Sequence, residues 1–94
     1  MKNAAFNTND VKHCCEDKLR VPFREGKEFN GWVTIDNKKF ARITVPMGRK
    51  SIPPMTYKSM AKQLRLTTGQ FDELLECPLN WEGYVEIAKK ILEI

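Results

Sequence analysis

The sequence has little of what catalytic centres and disulfide frameworks require. Its 94 residues include one histidine and three cysteines, and an odd number of cysteines does not make a disulfide framework. Reduced thiols are typical of proteins inside the cell. The chain also has no apolar stretch near the roughly 20 residues that cross a bilayer, and no apolar leader at its start. We therefore expect a cytoplasmic protein without a membrane-spanning segment.

The spacing of the histidine and the cysteines argues against a metal site. His13, Cys14 and Cys15 are consecutive, whereas Cys77 is distant. Paired ligands of structural zinc sites stand two to four residues apart, because the chain has to wrap around the ion. A glycine-rich loop that would bind nucleotide phosphates is also missing. The sequence predicts no metal and no cofactor, it singles out no catalytic residue, and it gives the His13, Cys14 and Cys15 cluster no role.

Acidic residues are missing from the middle of the chain. Residues 1–36 balance six basic against six acidic residues, and residues 72–94 have a net charge of −4. Clustered lysines and arginines attract polyanions and release counterions when they pair with phosphates. We therefore expect the middle segment to bind nucleic acid. Its basic residues are Lys38, Lys39, Arg42, Arg49, Lys50, Lys58, Lys62 and Arg65.

Alternation of apolar and polar residues predicts three short strands in the first half of the chain, over 18–24, 29–35 and 40–45. Polar turns at 25–28 and 36–39 separate them. Such short connections favour antiparallel pairing, because parallel strands need a long crossover. In the third strand the alternation places Ala41, Ile43 and Val45 on one face and Phe40, Arg42 and Thr44 on the other.

Helical spacing predicts three helices in the second half. Thr56 is the expected N-cap of the first, Thr67 and Gln70 form a capping box at the start of the second, and Asn80 caps the third. Pro78 ends the second helix. The apolar faces consist of Tyr57, Met60, Ala61 and Leu64 in the first, Phe71, Leu74 and Leu75 in the second, and Trp81, Tyr84, Ile87, Ala88 and Ile91 in the third.

The expected fold is α+β, with a three-stranded antiparallel sheet followed by three helices. Residues 1–10 are polar and show no apolar period, and we expect a flexible N-terminal segment over residues 1–16. Residues 17–94 then form a single α+β domain.

A series of short motifs runs from residue 41 to residue 75. It comprises Ala-Arg-Ile-Thr-Val-Pro at 41–46, the basic loop at 48–50, Ile-Pro-Pro and Thr56 at the helix start, Ser-Met-Ala-Lys-Gln-Leu at 59–64, and then Leu66 and Phe71. This series resembles the C-terminal half of HicA (YcfA) family toxins. The resemblance implies a fold similar in part to a double-stranded-RNA-binding domain, mRNA cleavage within a toxin–antitoxin pair, and a HicB-type antitoxin as partner.

The family carries its catalytic histidine in a Gly-Ser-His motif on the strand before the Thr-Val-Pro strand. This chain has Gly31-Trp32-Val33 there, so the resemblance assigns no catalytic residue. RNA is the partner that the resemblance and the basic segment together favour.

Two other functions fit parts of the sequence. The apolar spacing from residue 61 to residue 74 is typical of a helix-turn-helix that binds DNA, although Arg65 replaces the usual turn glycine and the second helix contains Asp72, Glu73 and Glu76. Alternatively, the acidic C-terminal helices bind a basic protein partner, or the basic segment of a second copy in a homodimer. In that alternative Trp32, Trp81 and Tyr84 are candidate interface residues.

Overall fold

Four α-helices and one two-stranded antiparallel sheet make up the computed structural model, which describes residues 1–76 and 78–92. The predicted architecture, a three-stranded sheet followed by three helices, is wrong, because one helix precedes the sheet and one expected strand does not form. In the described residues no helix is both long and apolar enough to cross a membrane. The elements are a 3-10 turn at Asn3–Ala5, α1 (Thr8–Lys18), β1 (Glu28–Ile35), β2 (Lys38–Pro46), α2 (Pro54–Gln63), α3 (Thr68–Glu76) and α4 (Trp81–Leu92).

Helix α1 occupies most of the segment that the sequence analysis expects to be flexible. A capping box starts it, because the Asn7 side chain accepts a hydrogen bond from the Asp10 amide at 2.9 Å and the Asp10 carboxylate accepts one from the Asn7 amide at 2.8 Å. Val11 and Cys15 are fully buried. The buried Thr8 hydroxyl also donates to the Gly48 carbonyl, so the helix start is attached to the loop after β2.

The expected first strand, over 18–24, does not form because α1 continues into it. The Leu19 amide still bonds to the Cys15 carbonyl, and Arg20 then turns the chain with a φ of 55°. Pro22 follows and has no amide hydrogen to donate to a sheet. Only Arg24 pairs with β1, through two backbone hydrogen bonds with Asn30 of 2.8 and 3.2 Å.

Gly31 lets this segment pack against β1. A Cβ atom at Gly31 would lie 2.3 Å from Cγ1 of Val21 and 3.2 Å from Cδ1 of Phe23. Gly31 lies inside β1, where the missing side chain leaves room for Val21 and Phe23.

The β1–β2 hairpin contains one extra residue. Asp36 and Asn37 connect the strands with φ values of 51° and 65°, as in a type I′ turn. Val33 pairs with Ala41 but Thr34 pairs with Lys39, so Phe40 is a bulge. Phe40 and Ala41 are both buried, which corrects the prediction that Phe40 shares a face with Arg42. We call the face of Val33 and Ala41 the inner face and the face of Trp32 and Arg42 the outer face.

The helices cover the inner face. Helix α2 starts at Pro54, two residues before the predicted N-cap Thr56, because proline is favoured in the first turn of a helix. The predicted capping box of α3 is confirmed, with Thr67 and Gln70 exchanging hydrogen bonds of 2.9 and 3.1 Å. The predicted Asn80 cap of α4 is also confirmed, since its side chain accepts from the Gly83 amide at 3.0 Å.

Helix α3 is joined to α2 by a buried carboxylate. Asp72 accepts hydrogen bonds from the Tyr57 hydroxyl and, at 2.9 Å, from the backbone amide of Lys2. Burial by itself would raise the pKa of Asp72, but these hydrogen bonds to the ionised form hold it below its usual value. The ionised carboxylate therefore stabilises the folded chain.

We predict that Gly31→Ala destabilises the protein by about 1–3 kcal/mol, because Val21 has to move away from the new Cβ atom. Urea unfolding measures the change. Gly26→Ala is the control, since a Cβ atom there meets only the Glu28 carbonyl at 3.8 Å and should cost less than about 0.5 kcal/mol. Equal stability of the two variants would contradict the close packing of Val21 on β1.

A second prediction concerns pH. A carboxyl group whose pKa is lowered by folding stabilises the native state while it is ionised, and this contribution is lost as the pH falls through the lowered pKa. Asp72→Asn should therefore cost about 1.5 kcal/mol near neutral pH, and the gap to the wild type should close below the ordinary Asp value of 3.8. Unfolding curves at several pH values measure the gap. Exposed Glu73→Gln, on the same helix, should show no such gap, and a gap for Asp72→Asn that is constant with pH would refute the charge effect.

Candidate nucleic-acid interface

The structure distributes the eight predicted basic residues over three places, and all eight side chains are exposed. Three lie in β2, two in the loop between β2 and α2, and three on or just after α2. In that order they are Lys38, Lys39 and Arg42, then Arg49 and Lys50, then Lys58, Lys62 and Arg65.

The outer face of the hairpin carries an exposed tryptophan among cations. Trp32 pairs with Arg42 across the strands and is 39% exposed, and the Lys39 ammonium lies 5.2 Å from the centre of its ring. Arg24, which the sequence analysis did not select, lines the same depression. We call this cavity of about 360 Å³ the outer depression. Its lining in the described chain includes no acidic residue.

A second depression lies at the turn end of the hairpin. Lys38, Lys39 and Arg65 line it, and Asp36 is the acidic residue among them. The guanidinium carbon of Arg65 lies 4.7 Å from the centre of the Phe40 ring. Because Lys38 pairs with buried Ile35, it lies toward the helices, whereas Lys39 lies on the outer face.

A third depression runs between the helices, where Lys62, Arg65 and Lys90 line it together with apolar side chains such as Leu66 and Ile91. Lys39 is common to the first two depressions, and Arg65 to the last two. The three therefore adjoin. We call their seven cations the basic path: Arg24, Lys38, Lys39, Arg42, Lys62, Arg65 and Lys90.

Three predicted residues lie off this path. Arg49 and Lys50 follow the opposite end of β2, and the Lys50 amide donates to the Thr8 hydroxyl at 3.0 Å, so that loop packs on the start of α1. Lys58 stands one helical turn before Lys62, on the same exposed side of α2. The structure therefore brings five of the predicted residues together and separates the other three from the depressions.

Two cations of the interface, Arg24 and Lys90, are not predicted from the sequence, and Trp32 is predicted there only as a residue of a protein interface. Arg24 belongs to a charge-balanced segment, and Lys90 fits the last turn of a helix. The signal for Trp32 is its alternation with Asn30 and Thr34, which are polar neighbours on one face of β1.

None of the ion pairs among described residues involves the basic path. The pairs join Asp72 and Glu76 to the first two residues, and Glu16 to Lys12 and His13. Two cations of the path lie instead on aromatic rings, Lys39 on Trp32 and Arg65 on Phe40. Their charge is thus not neutralised by a carboxylate in this part of the chain.

Arg65 occupies a backbone conformation that favours glycine. Its φ is 59°, and the α2 C-terminus closes through hydrogen bonds from the Leu66 amide to the Ala61 carbonyl and from the Arg65 amide to the Lys62 carbonyl, both 2.9 Å. This is a Schellman motif, whose left-handed position is usually glycine. The turn is therefore less stable with arginine at position 65 than it would be with glycine.

The histidine and cysteines lie on α1. His13 is exposed, with Nδ1 3.8 Å from a Glu16 oxygen, and burial raises the pKa of the Cys15 thiol well above its usual value. The Cys14 thiol donates to the Leu74 carbonyl at 3.5 Å. Cys77 lies outside the described residues, and within them no group of three His, Cys, Asp or Glu side chains is placed to hold a metal ion.

No protein-family model, no curated protein and no solved structure matches this chain.

We predict that Arg65→Gly leaves the protein more stable than Arg65→Ala by about 1 kcal/mol, because glycine adopts positive φ without steric cost. Both variants lose the contact with Phe40, so their comparison isolates the backbone. Thermal or urea unfolding measures the difference. If Arg65→Ala were equally stable, the left-handed turn would carry no strain.

Proposed function

We propose that this protein binds RNA along the basic path and that it acts in the cytoplasm. The observation that carries the proposal is the continuity of the path. Seven cations line three adjoining depressions, and Asp36 is the one acidic residue among the described lining side chains. A backbone that follows these depressions meets phosphate-binding groups along its whole course.

The absence of ion pairs from the path strengthens this proposal. A cation already paired with a carboxylate has to give up that pair before it binds a phosphate. The path cations in the described chain have no such pair to break, and each contact releases condensed counterions from the nucleic acid. We expect a binding constant that falls steeply with salt concentration.

RNA is preferred to DNA because α3 is a poor recognition helix. In a helix-turn-helix this helix enters the major groove, but here Asp72 is buried against Tyr57 and the Glu76 carboxylate binds Lys2 at 2.6 Å. Neither residue lines the basic path. The resemblance to HicA toxins also points to RNA, to a toxin–antitoxin pair and to a HicB-type partner.

We propose binding without cleavage. Val33 stands where the resembled family has its catalytic histidine, and it is fully buried in the core. The chain's own histidine, His13, lies on α1 and lines none of the three depressions.

The path predicts which charge reversals weaken binding. Lys62→Glu and Lys90→Glu should each reduce affinity for a labelled uridine oligonucleotide, and each lost phosphate contact should lower the slope of log K against log salt by about 0.7. Fluorescence anisotropy over a range of salt concentrations measures both quantities.

Lys89→Glu is the matched control, because it makes the same charge change at the neighbouring exposed position of α4, off the path. Its effect should be smaller than that of Lys90→Glu. Equal effects would show that only the overall charge matters and would remove the path as the binding site. If the wild type binds no RNA even at low salt, the proposed function itself is wrong.

A further inference from the structure

Trp32 is the one exposed aromatic side chain in the described part of the chain. The other aromatic side chains are buried or partly buried. Trp32 contributes nothing to the inner face, because it pairs with Arg42 on the outer face of the hairpin. A large aromatic ring held on the exposed face of a sheet is a feature that proteins use to bind unpaired bases by stacking.

Three cations lie near the ring. Arg42 stands directly across from Trp32 in the neighbouring strand, the Lys39 ammonium lies 5.2 Å from the ring centre, and Arg24 lines the same depression. The combination of an aromatic ring and several cations matches the alternation of base and phosphate in a nucleic acid.

Hydrogen bonds hold the Arg42 side chain and the Arg24 backbone before any ligand arrives. The Asn30 side-chain oxygen accepts from Nη2 of Arg42 at 3.2 Å and from the Thr44 hydroxyl at 2.7 Å. The Asn30 backbone in turn holds the backbone of Arg24 through their two mutual hydrogen bonds. Binding a phosphate therefore costs less ordering of the Arg42 side chain than it would on a flexible loop.

We propose that the outer depression binds single-stranded RNA, with an unpaired base stacked on Trp32 and the flanking phosphates held by Arg24, Lys39 and Arg42. The proposal rests on the proposed function and names its substrate class. Inside a duplex each base is stacked on both faces by its neighbours, so a long duplex offers the ring almost no free base face. The selectivity is thus for unpaired nucleotides.

The contact of Lys39 with the Trp32 ring does not prevent a base from stacking there. Stacking of a base on an aromatic ring is stronger than a cation–π contact at an exposed site. A base can therefore take the place of the Lys39 ammonium, which then pairs with a phosphate of the same strand.

The test compares Trp32→Ala and Trp32→Phe with the wild type, using a labelled uridine oligonucleotide and a long RNA duplex. Trp32→Ala should weaken single-strand binding roughly tenfold, and Trp32→Phe should retain most of the affinity. The duplex should bind more weakly than the single strand to the wild type, and its affinity should not change in either variant. The salt slope should stay constant, because no charge is removed.

A second readout follows the ring itself. Trp81→Phe leaves Trp32 as the single tryptophan of the chain, and its fluorescence should be quenched by the uridine oligonucleotide but not by the duplex. Unchanged fluorescence on binding, or wild-type affinity in Trp32→Ala, would overturn the stacking proposal. The proposed function survives either result if Lys62→Glu still weakens binding, and it fails separately if the wild type binds neither RNA.

Discussion

The β1–β2 hairpin contains one more residue in β2 than in β1, and the position of that residue determines which side chains meet. In a regular strand, residues three apart point to opposite faces. Because Phe40 is extra, Lys39 and Arg42 share the outer face with Trp32, while Phe40 joins the core. Phe40 then packs edge to face against Tyr84 of α4 at 6.1 Å. A single bulge thus builds the outer depression and connects the sheet to the last helix.

The outer face is open because the helices pack against the inner face. A two-stranded sheet is at best marginally stable alone, so this hairpin depends on helices that cover its apolar face. Helix α1 is held across the structure by Lys18, whose ammonium donates to the Leu74 carbonyl at 2.6 Å and to the Leu79 carbonyl at 3.3 Å. With α1, α2 and α4 engaged in the core, the outer face is left to polar residues and Trp32.

Part of this fold can be predicted from the sequence. Features that depend on neighbouring residues are predicted correctly, whereas features that depend on contacts between distant residues are not. The Thr67 capping box and the Asn80 cap depend on residues three positions apart, and both predictions are correct. The prediction of a first strand is wrong because the alternation at Leu19 and Val21 is the same whether the segment pairs with a neighbouring strand or only lies beside it. Helix α1 is not predicted from the sequence because its buried apolar residues occur only once per turn, at Val11 and Cys15.

The candidate interface shows the same limit. Counting charges located the cations of the middle segment but not their directions. Lys38 and Lys39 both line the second depression, but Lys39 alone also lines the outer depression, where the bulge at Phe40 places it on the same face as Arg42. Arg24 and Lys90 enter the path from segments whose local charge is balanced or negative, so charge along the sequence could not identify them. Their contribution depends on tertiary packing.

Aromatic rings position cations without neutralising them. A carboxylate beside Lys39 or Arg65 would hold the side chain equally well but would cancel most of its attraction for a phosphate. A ring attracts a cation through its quadrupole and leaves the net charge in place. Arg65 is an example. A glycine would fit its left-handed backbone better, but a glycine has no side chain that could contact the Phe40 ring. The local strain at Arg65 therefore maintains a positive group where the second and third depressions join.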